Sequence, residues 1–186
     1  MPINEIMSKG EERTKKTVSS TQKEFSNIRT GRANPLILDK ITVDYYGTAT
    51  PIRQLSNVSV QDGQNLVITP YDKSSIANIE KAIMKSDIGI TPNSDGTNIR
   101  LVFPQPTEER RRELVKDIKK QGEEAKVAIR NIRREMTETL KKAEKTEHIP
   151  EDEIKKQQDD IQKLTGRYIK EIDNLIAEKE KEILSI

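Results

Sequence analysis

From Leu114 to Ala143 an apolar or small residue returns at every third or fourth position, through Ile118, Gly122, Ala125, Ile129, Ile132, Met136 and Leu140. At about 100° per residue, such steps place all of them on one side of an α-helix. Thr107-Glu108-Glu109 supplies a hydroxyl cap and an acidic first turn at its start. Continued to about residue 145, the helix is roughly 60 Å long at about 1.5 Å per residue. A helix with one narrow apolar stripe needs partners to cover it.

Two further segments carry the same signature. Over 3–29 the stripe is Met7, Thr14, Val18, Thr21, Phe25 and Ile28, broken by no proline and by one glycine, Gly10. Pro150 followed by Glu151-Asp152-Glu153 starts the last helix, whose stripe is Ile154, Ile161, Leu164, Tyr168, Ile172, Leu175 and Ile183. Three long helices, none sufficient alone, predict an antiparallel bundle. Between the first and second the texture changes. Leu36–Tyr46 alternates through Ile41, Val43 and Tyr45 and ends at Gly47, as a strand does. Val58 and Val60 lead into Asp62-Gly63, a hairpin dipeptide, and Leu66–Tyr71 reads as the return strand. Ser74 or Ser75 is placed to cap a short helix bearing Ile76, Ile79 and Ile83. Asn93-Ser94-Asp95-Gly96 turns into a strand over Ile99–Phe103. The expected organisation is α+β: a bundle from 1–30 and 107–186, with an inserted domain over 31–106. Gly31 and Pro35 punctuate the first crossing and Pro104 and Pro106 the second, so the paired crossings are candidate hinges.

Composition agrees with elongated helices rather than one thick core, since 34% of residues are charged and 32% hydrophobic. No cysteine and a single histidine, His148, exclude disulfides, thiolate metal sites and multi-histidine sites. No apolar run approaches the roughly 20 residues of a membrane span. The N-terminal Met1-Pro2-Ile3-Asn4-Glu5 lacks a basic region followed by an apolar stretch, so the expected compartment is the cytoplasm, without membrane attachment.

The net charge of +2 is unevenly spread. Residues 107–145 hold thirteen basic against nine acidic side chains, and 146–186 seven against eleven. On a wheel with Ile129 at zero, the apolar stripe spans roughly −60° to +40°. Arg112, Lys116, Lys119, Lys126, Arg130, Arg133, Arg134 and Lys141 fall at roughly 40° to 140°, with Glu113, Asp117, Glu124 and Glu135 on the opposite flank. Two readings of the basic flank compete. One is a solvated face neutralised by acids of the neighbouring helices, the last of which is net acidic. The other is a surface for an anionic partner, favoured because Arg130 has like-charged neighbours in Lys126 and Arg134 and because guanidinium suits phosphate. Only six aromatic residues occur, and Phe25 and Tyr168 sit on apolar stripes, so RNA binding would rest on phosphate and 2′-hydroxyl contacts rather than stacking. No phosphate loop, GxGxxG or GxSxG is present, and His148 lies in a polar connector without an evident partner. Adjacent carboxylates such as Asp159-Asp160 point about 100° apart on a helix and make no acid–base pair. No catalytic residue, metal site or cofactor is expected.

Several segments, in order and spacing, resemble one family. They are Ile28-Arg29-Thr30-Gly31-Arg32-Ala33, Val43-Asp44-Tyr45-Tyr46-Gly47-Thr48, Pro92-Asn93-Ser94, Thr107-Glu108-Glu109-Arg110-Arg111, Ile129-Arg130-Asn131-Ile132-Arg133-Arg134, and 158–165. The chain is similar to the bacterial ribosome recycling factors over nearly its whole length. That resemblance implies an L-shaped molecule, a three-helix bundle with a small β/α/β sandwich domain inserted through a two-stranded hinge. It implies a non-enzymatic, monomeric translation factor that binds large-subunit ribosomal RNA. With GTP-bound elongation factor G, such a factor splits the post-termination ribosome and frees it from mRNA for new rounds of translation. By the same resemblance Arg130, Arg133 and Arg134 match the RNA-contacting motif, joined by Lys126 on the same face, by Arg29 and Arg32 at the end of the first helix, and by Arg110 at the start of the second. Pro106 departs from the family, which has an aliphatic residue there, and stiffens one hinge strand; Pro150 replaces a small polar residue at a helix start. A helical scaffold for protein partners accounts for the amphipathic helices but not for the segregated arginines. An organellar homologue would carry an Arg- and Ser-rich leader, which this chain lacks.

Overall fold

The structure, a computed structural model, describes residues 2–185; Met1 and Ile186, the expected outer ends of the bundle, lie outside the described residues. The chain separates into two compact units, the helices up to Arg29 with Glu108–Ser185, and the segment Thr30–Thr107.

The helical unit consists of α1 (Ile3–Ser26), α4 (Glu108–Glu147) and α5 (Glu151–Leu184). All nine stripe positions of α4 are buried. They form three successive layers with the other helices: Ile132, Met136 and Leu140 with Ile6 and Ile161, then Ala125 and Ile129 with Val18, Tyr168 and Ile172, then Leu114 and Ile118 with Phe25 and Ile183. These partners set α4 antiparallel to both α1 and α5. Three stripe positions differ from the sequence expectation. Met7, Leu175 and Ile28 are half-buried, Ile28 lying beyond the end of α1 at Ser26, while Ile6 and Gly10 lead the α1 stripe. Gly10 lets Met136 pack close to α1, since its thioether occupies the place a Cβ would take. Gly122 is likewise filled by Ile176, whereas a Cβ on Gly166 of α5 would meet nothing. His148, at φ 52°, ends α4 in the left-handed conformation, and the Pro150 carbonyl accepts from the Glu153 and Ile154 amides to open α5. No described helix is long and apolar enough to cross a membrane.

In the second unit, β1 (Thr42–Tyr45) and β2 (Thr48–Pro51) form one antiparallel hairpin. After the single-turn α2 (Ile52–Leu55), β3 (Ser56–Gln61), β4 (Asn65–Pro70), β5 (Asn93–Ser94) and β6 (Ile99–Val102) make a second antiparallel sheet in the order β3-β4-β6-β5. Helix α3 (Ile76–Lys85) connects β4 to β5, and its Ile79 and Ile83 are buried with Leu38, Val43, Ile52, Leu66, Ile68, Ile99 and Leu101. The strand expected from Leu36 begins only at Thr42. Asn34 Oδ1 accepts from the Leu36 amide and Pro35 fixes its own φ, so 35–38 winds into a 3₁₀ turn instead. The serine cap on the short helix is also corrected. Asp72 accepts from the Ser74 amide at 3.0 Å and starts a 3₁₀ turn that runs into α3, while Ser75 is already helical.

Where the chain leaves and re-enters the helical unit, its two strands lie against each other. Gly31 has φ 87°, a Cβ there would collide with the Pro106 ring, and Gln105 Nε2 donates to the Gly31 carbonyl at 3.2 Å. Pro35 and Pro104, the other candidate hinge residues, flank this contact; Pro104 is exposed and Pro35 half-buried.

Candidate nucleic-acid interface

The basic flank of α4 divides into two halves. In the N-terminal half three of the four cations are internally engaged, Lys116 being the exception: Arg112 with Glu108 at 2.8 Å, Lys119 with Glu180 of α5 at 3.6 Å, and Lys126 with both Asp173 of α5 and Glu123. The Asp173 hydrogen bond holds the Lys126 ammonium above the usual lysine range, against the opposing effect of burial and with smaller help from Glu123. Its side chain is 13% exposed. Lys126, expected among the RNA-binding residues, therefore serves as the centre of a helix–helix clamp.

One turn further on the pattern changes. Among the described residues Arg130, Arg133 and Lys141 form no ion pair, and Arg134 has only the neutral Asn131 amide oxygen, at 3.4 Å. The register explains this. Antiparallel packing that sets 126 opposite 173 and 119 opposite 180 carries 130 toward 169 and 133 toward 166, which are Ile169 and Gly166. No acid stands across from these arginines, so their charge is left toward solvent. Arg130 and Arg133 are half-buried at their stems and Arg134 is exposed.

The opposite flank of α4 faces α1 and is electrostatically mixed. Glu135 pairs with Arg13, and an open groove of about 340 Å³ lies among Lys16, Ser20, Glu24, Gln121 and Glu124. Gln121 Oε1 is buried there without a hydrogen-bond partner. One lysine faces two glutamates in this groove, so it does not select an anion. The remaining sequence-derived residues lie outside the ridge. Arg29 and Arg32 are both exposed, Arg29 on the helical unit and Arg32 on the inserted one. Arg110 is exposed and donates to Glu113 at 3.0 Å. Arg111 lies half-buried near the wheel position of the stripe, its Nε buried and unpartnered. What sequence reasoning missed is the role of Asp173 and Glu180. The net acidity of the last helix was visible, but which lysines it reaches depends on a register that only packing sets.

Fold and face together define a class: helical-bundle factors with a small α+β domain threaded between their first and second helices and one cationic ridge on the middle helix. A sequence model of the family described as ribosome recycling factor matches residues 21–184. The ribosome-recycling factor of Desulforamulus reducens is 55% identical over 184 residues, covering 99% of this chain and 100% of its relative. That of Syntrophomonas wolfei is 58% identical over 184 residues with the same coverage, and that of Bacillus subtilis 51% over 182, or 98% of each. A solution structure of a ribosome recycling factor superimposes with TM-score 0.80 at 41% identity, over 100% of this chain and 99% of that one. The T. thermophilus ribosome recycling factor, in an assembly with E. coli elongation factor G bound to the E. coli post-termination complex, matches with TM-score 0.66 at 39% identity, over 99% of this chain and 100% of that one. The chain belongs to the ribosome recycling factor family.

Proposed function

We propose that this chain, as a cytoplasmic monomer, binds large-subunit ribosomal RNA through the C-terminal half of the α4 ridge and, with GTP-bound elongation factor G, splits post-termination ribosomes into subunits. The observation that carries the reading is the change along one helix face from cations mostly paired with acids to arginines that meet none. A merely solvated face would keep its ion pairs throughout, since like charges one turn apart destabilise a helix by a few tenths of a kcal/mol. Arg130, Arg133 and Arg134 present planar donors suited to phosphate oxygens, and Arg29, Arg32 and Arg110 are further candidate phosphate contacts. The family relative seen with elongation factor G on a post-termination complex supports the choice of assembly.

No nucleotide-binding loop occurs in the chain, so GTP hydrolysis falls to the partner. The chain's own part is mechanical: one unit held on RNA, the other displaced by the partner, with Gly31, Pro35, Pro104 and Pro106 at the two strands that transmit the displacement. The test is co-sedimentation with bacterial large subunits, followed by light scattering of vacant ribosomes on addition of elongation factor G and GTP. Binding together with a factor-dependent loss of scattering is expected. Failure to sediment with large subunits would exclude the RNA reading, and binding without splitting would exclude the recycling step.

A further inference from the structure

We propose that the α4 ridge has a second bank on α5, formed by Lys163 and Lys170, and that one sugar–phosphate strand of large-subunit RNA lies in the groove between the two. The inference deepens the RNA reading above and rests on it.

The first observation is a break in the charge pattern of α5. Residues 146–186 hold seven basic and eleven acidic side chains, yet 161–170 contain Lys163, Arg167 and Lys170 and no acid. Asp159 and Asp160 close this window on one side, Glu171 and Asp173 on the other. Lys163 is within one turn of Asp159 and Asp160, and Lys170 within one turn of Asp173. Neither lysine forms an ion pair among the described residues; both are exposed, and Asp173 is held by Lys126.

The second observation is where the window lies. The register that sets 126 against 173 and 119 against 180 places 161–170 along the segment of α4 that carries Arg130, Arg133 and Arg134. On a wheel with the buried Ile172 at zero, Asp173, which reaches α4, falls at about 100°, Gly166 at about 120°, Lys170 at about 160° and Lys163 at the crest, about 180°. Glu171 and Asp160 fall at about −100° and −120°, on the flank turned to α1, where Arg167 meets Glu11. The acids that border the window therefore point away from the arginines, and the lysines share the α4 side or the crest.

The groove between the banks is open and uncharged at its floor. Ile169 is half-buried, and Gly166, exposed and with nothing near its Cβ position, adds no side chain. Packed helices run about 8–10 Å apart, which leaves room for one backbone strand between the rows rather than two. The one aromatic residue of the window, Tyr168, is buried and its hydroxyl donates to Glu11 at 3.0 Å. No ring is left for a base to stack on, so the contact is to phosphate and sugar.

The full chain and purified bacterial large subunits test this. Lys163→Ala combined with Lys170→Ala should flatten the slope of log K against log salt by about 1.4–1.8 and weaken binding roughly fortyfold at about 0.1 M salt, since two phosphate contacts are lost. The melting temperature should stay within about 1 °C, because both side chains are exposed and unpaired. Lys155→Ala with Lys156→Ala removes the same charge from the same helix, outside the window and between acids on both sides, and should leave the slope unchanged. An unchanged slope in the first pair, or equal losses in both pairs, overturns the second bank. The chain has no cysteine, so Gly166→Cys can carry a tethered iron chelate. Hydroxyl radicals generated there should cut large-subunit RNA; a bound chain that cuts none overturns the strand as occupant. If the unaltered chain does not bind large subunits, or the Arg130 and Arg133 double variant binds as well as it does, the RNA reading itself fails. A loss in the arginine pair with none in the lysine pair removes the second bank alone.

Discussion

Replacing Arg133 and Lys126 one at a time separates the two halves of the α4 ridge. If Arg133 neutralises one phosphate, its loss removes one counterion-release contribution, about 0.7 to 0.9 in the slope of log K against log salt. At about 0.1 M salt that corresponds to roughly sixfold in affinity, or about 1 kcal/mol, and roughly fortyfold for Arg130→Ala with Arg133→Ala. Both side chains lack an ion pair among the described residues, so folding stability should move by less than about 0.5 kcal/mol. Lys126→Ala behaves in the opposite way. Its ammonium bridges Asp173 and Glu123, and Asp173 is 52% exposed, so solvent screening limits the pair to about 0.5–1 kcal/mol of stability. Because that ammonium is already neutralised, its removal should leave the salt slope unchanged. The assay is ribosomal large-subunit binding at four or five salt concentrations, paired with thermal melts of the free proteins. Equal slopes for the Arg133 and Lys126 variants would show that the Asp173 clamp opens on RNA and that the division of the ridge is wrong. An unchanged affinity in the double arginine variant would remove the ridge from the interface altogether.

The remaining predictions concern stability. Gly31→Ala should cost about 2–3 kcal/mol in a denaturant melt, since it combines a left-handed φ with a collision against Pro106; no loss would mean the crossing strands relax freely. Gly166→Ala should stabilise by about 0.8–1 kcal/mol because its Cβ meets nothing, whereas in Gly122→Ala the Ile176 side chain is displaced and a net loss of about 1 kcal/mol follows. Equal effects at the two positions would refute the packing account. The Ser74 amide and hydroxyl hold the Asp72 carboxyl below the ordinary aspartate range. Its contribution to stability is therefore present above the unfolded-state value and disappears as pH falls through the lower folded value. An NMR titration should show Asp72 ionising at lower pH than a peptide aspartate, and Ser74→Ala should shift it back part of the way.

The helices were readable because their information is local and repeated. Nine α4 positions at helical spacing, Leu114 through Ala143, need no partner to be recognised, and all nine are buried. The inserted domain was readable in outline from its β-branched residues and the Asp62-Gly63 turn, but not in detail. The strand β2, whose sequence Thr-Ala-Thr-Pro has no apolar alternation, is defined by pairing with β1. The segment 36–38 looked extended by composition and became part of a 3₁₀ turn because Asn34 Oδ1 accepts from the Leu36 amide and Pro35 fixes its own φ. Tyr46-Gly47 carried a legible signal, an aromatic residue where a hairpin favours Asn or Asp, but its left-handed φ appears only once β1 and β2 are paired.

By itself the sequence determined that three amphipathic helices would bundle, with a small domain inserted between the first and second, and that basic residues would share one flank of the middle helix. Periodicity is a property of single segments and survives without knowledge of neighbours. Tertiary structure decided which of those cations are free. Lys119 and Lys126 meet Glu180 and Asp173, while Arg130 and Arg133 face Ile169 and Gly166, because antiparallel register converts positions remote in the chain into opposite positions in space. Electrostatic energy depends on separation in space rather than along the chain, so the difference between a clamp and an open ridge is settled only when the helices pack.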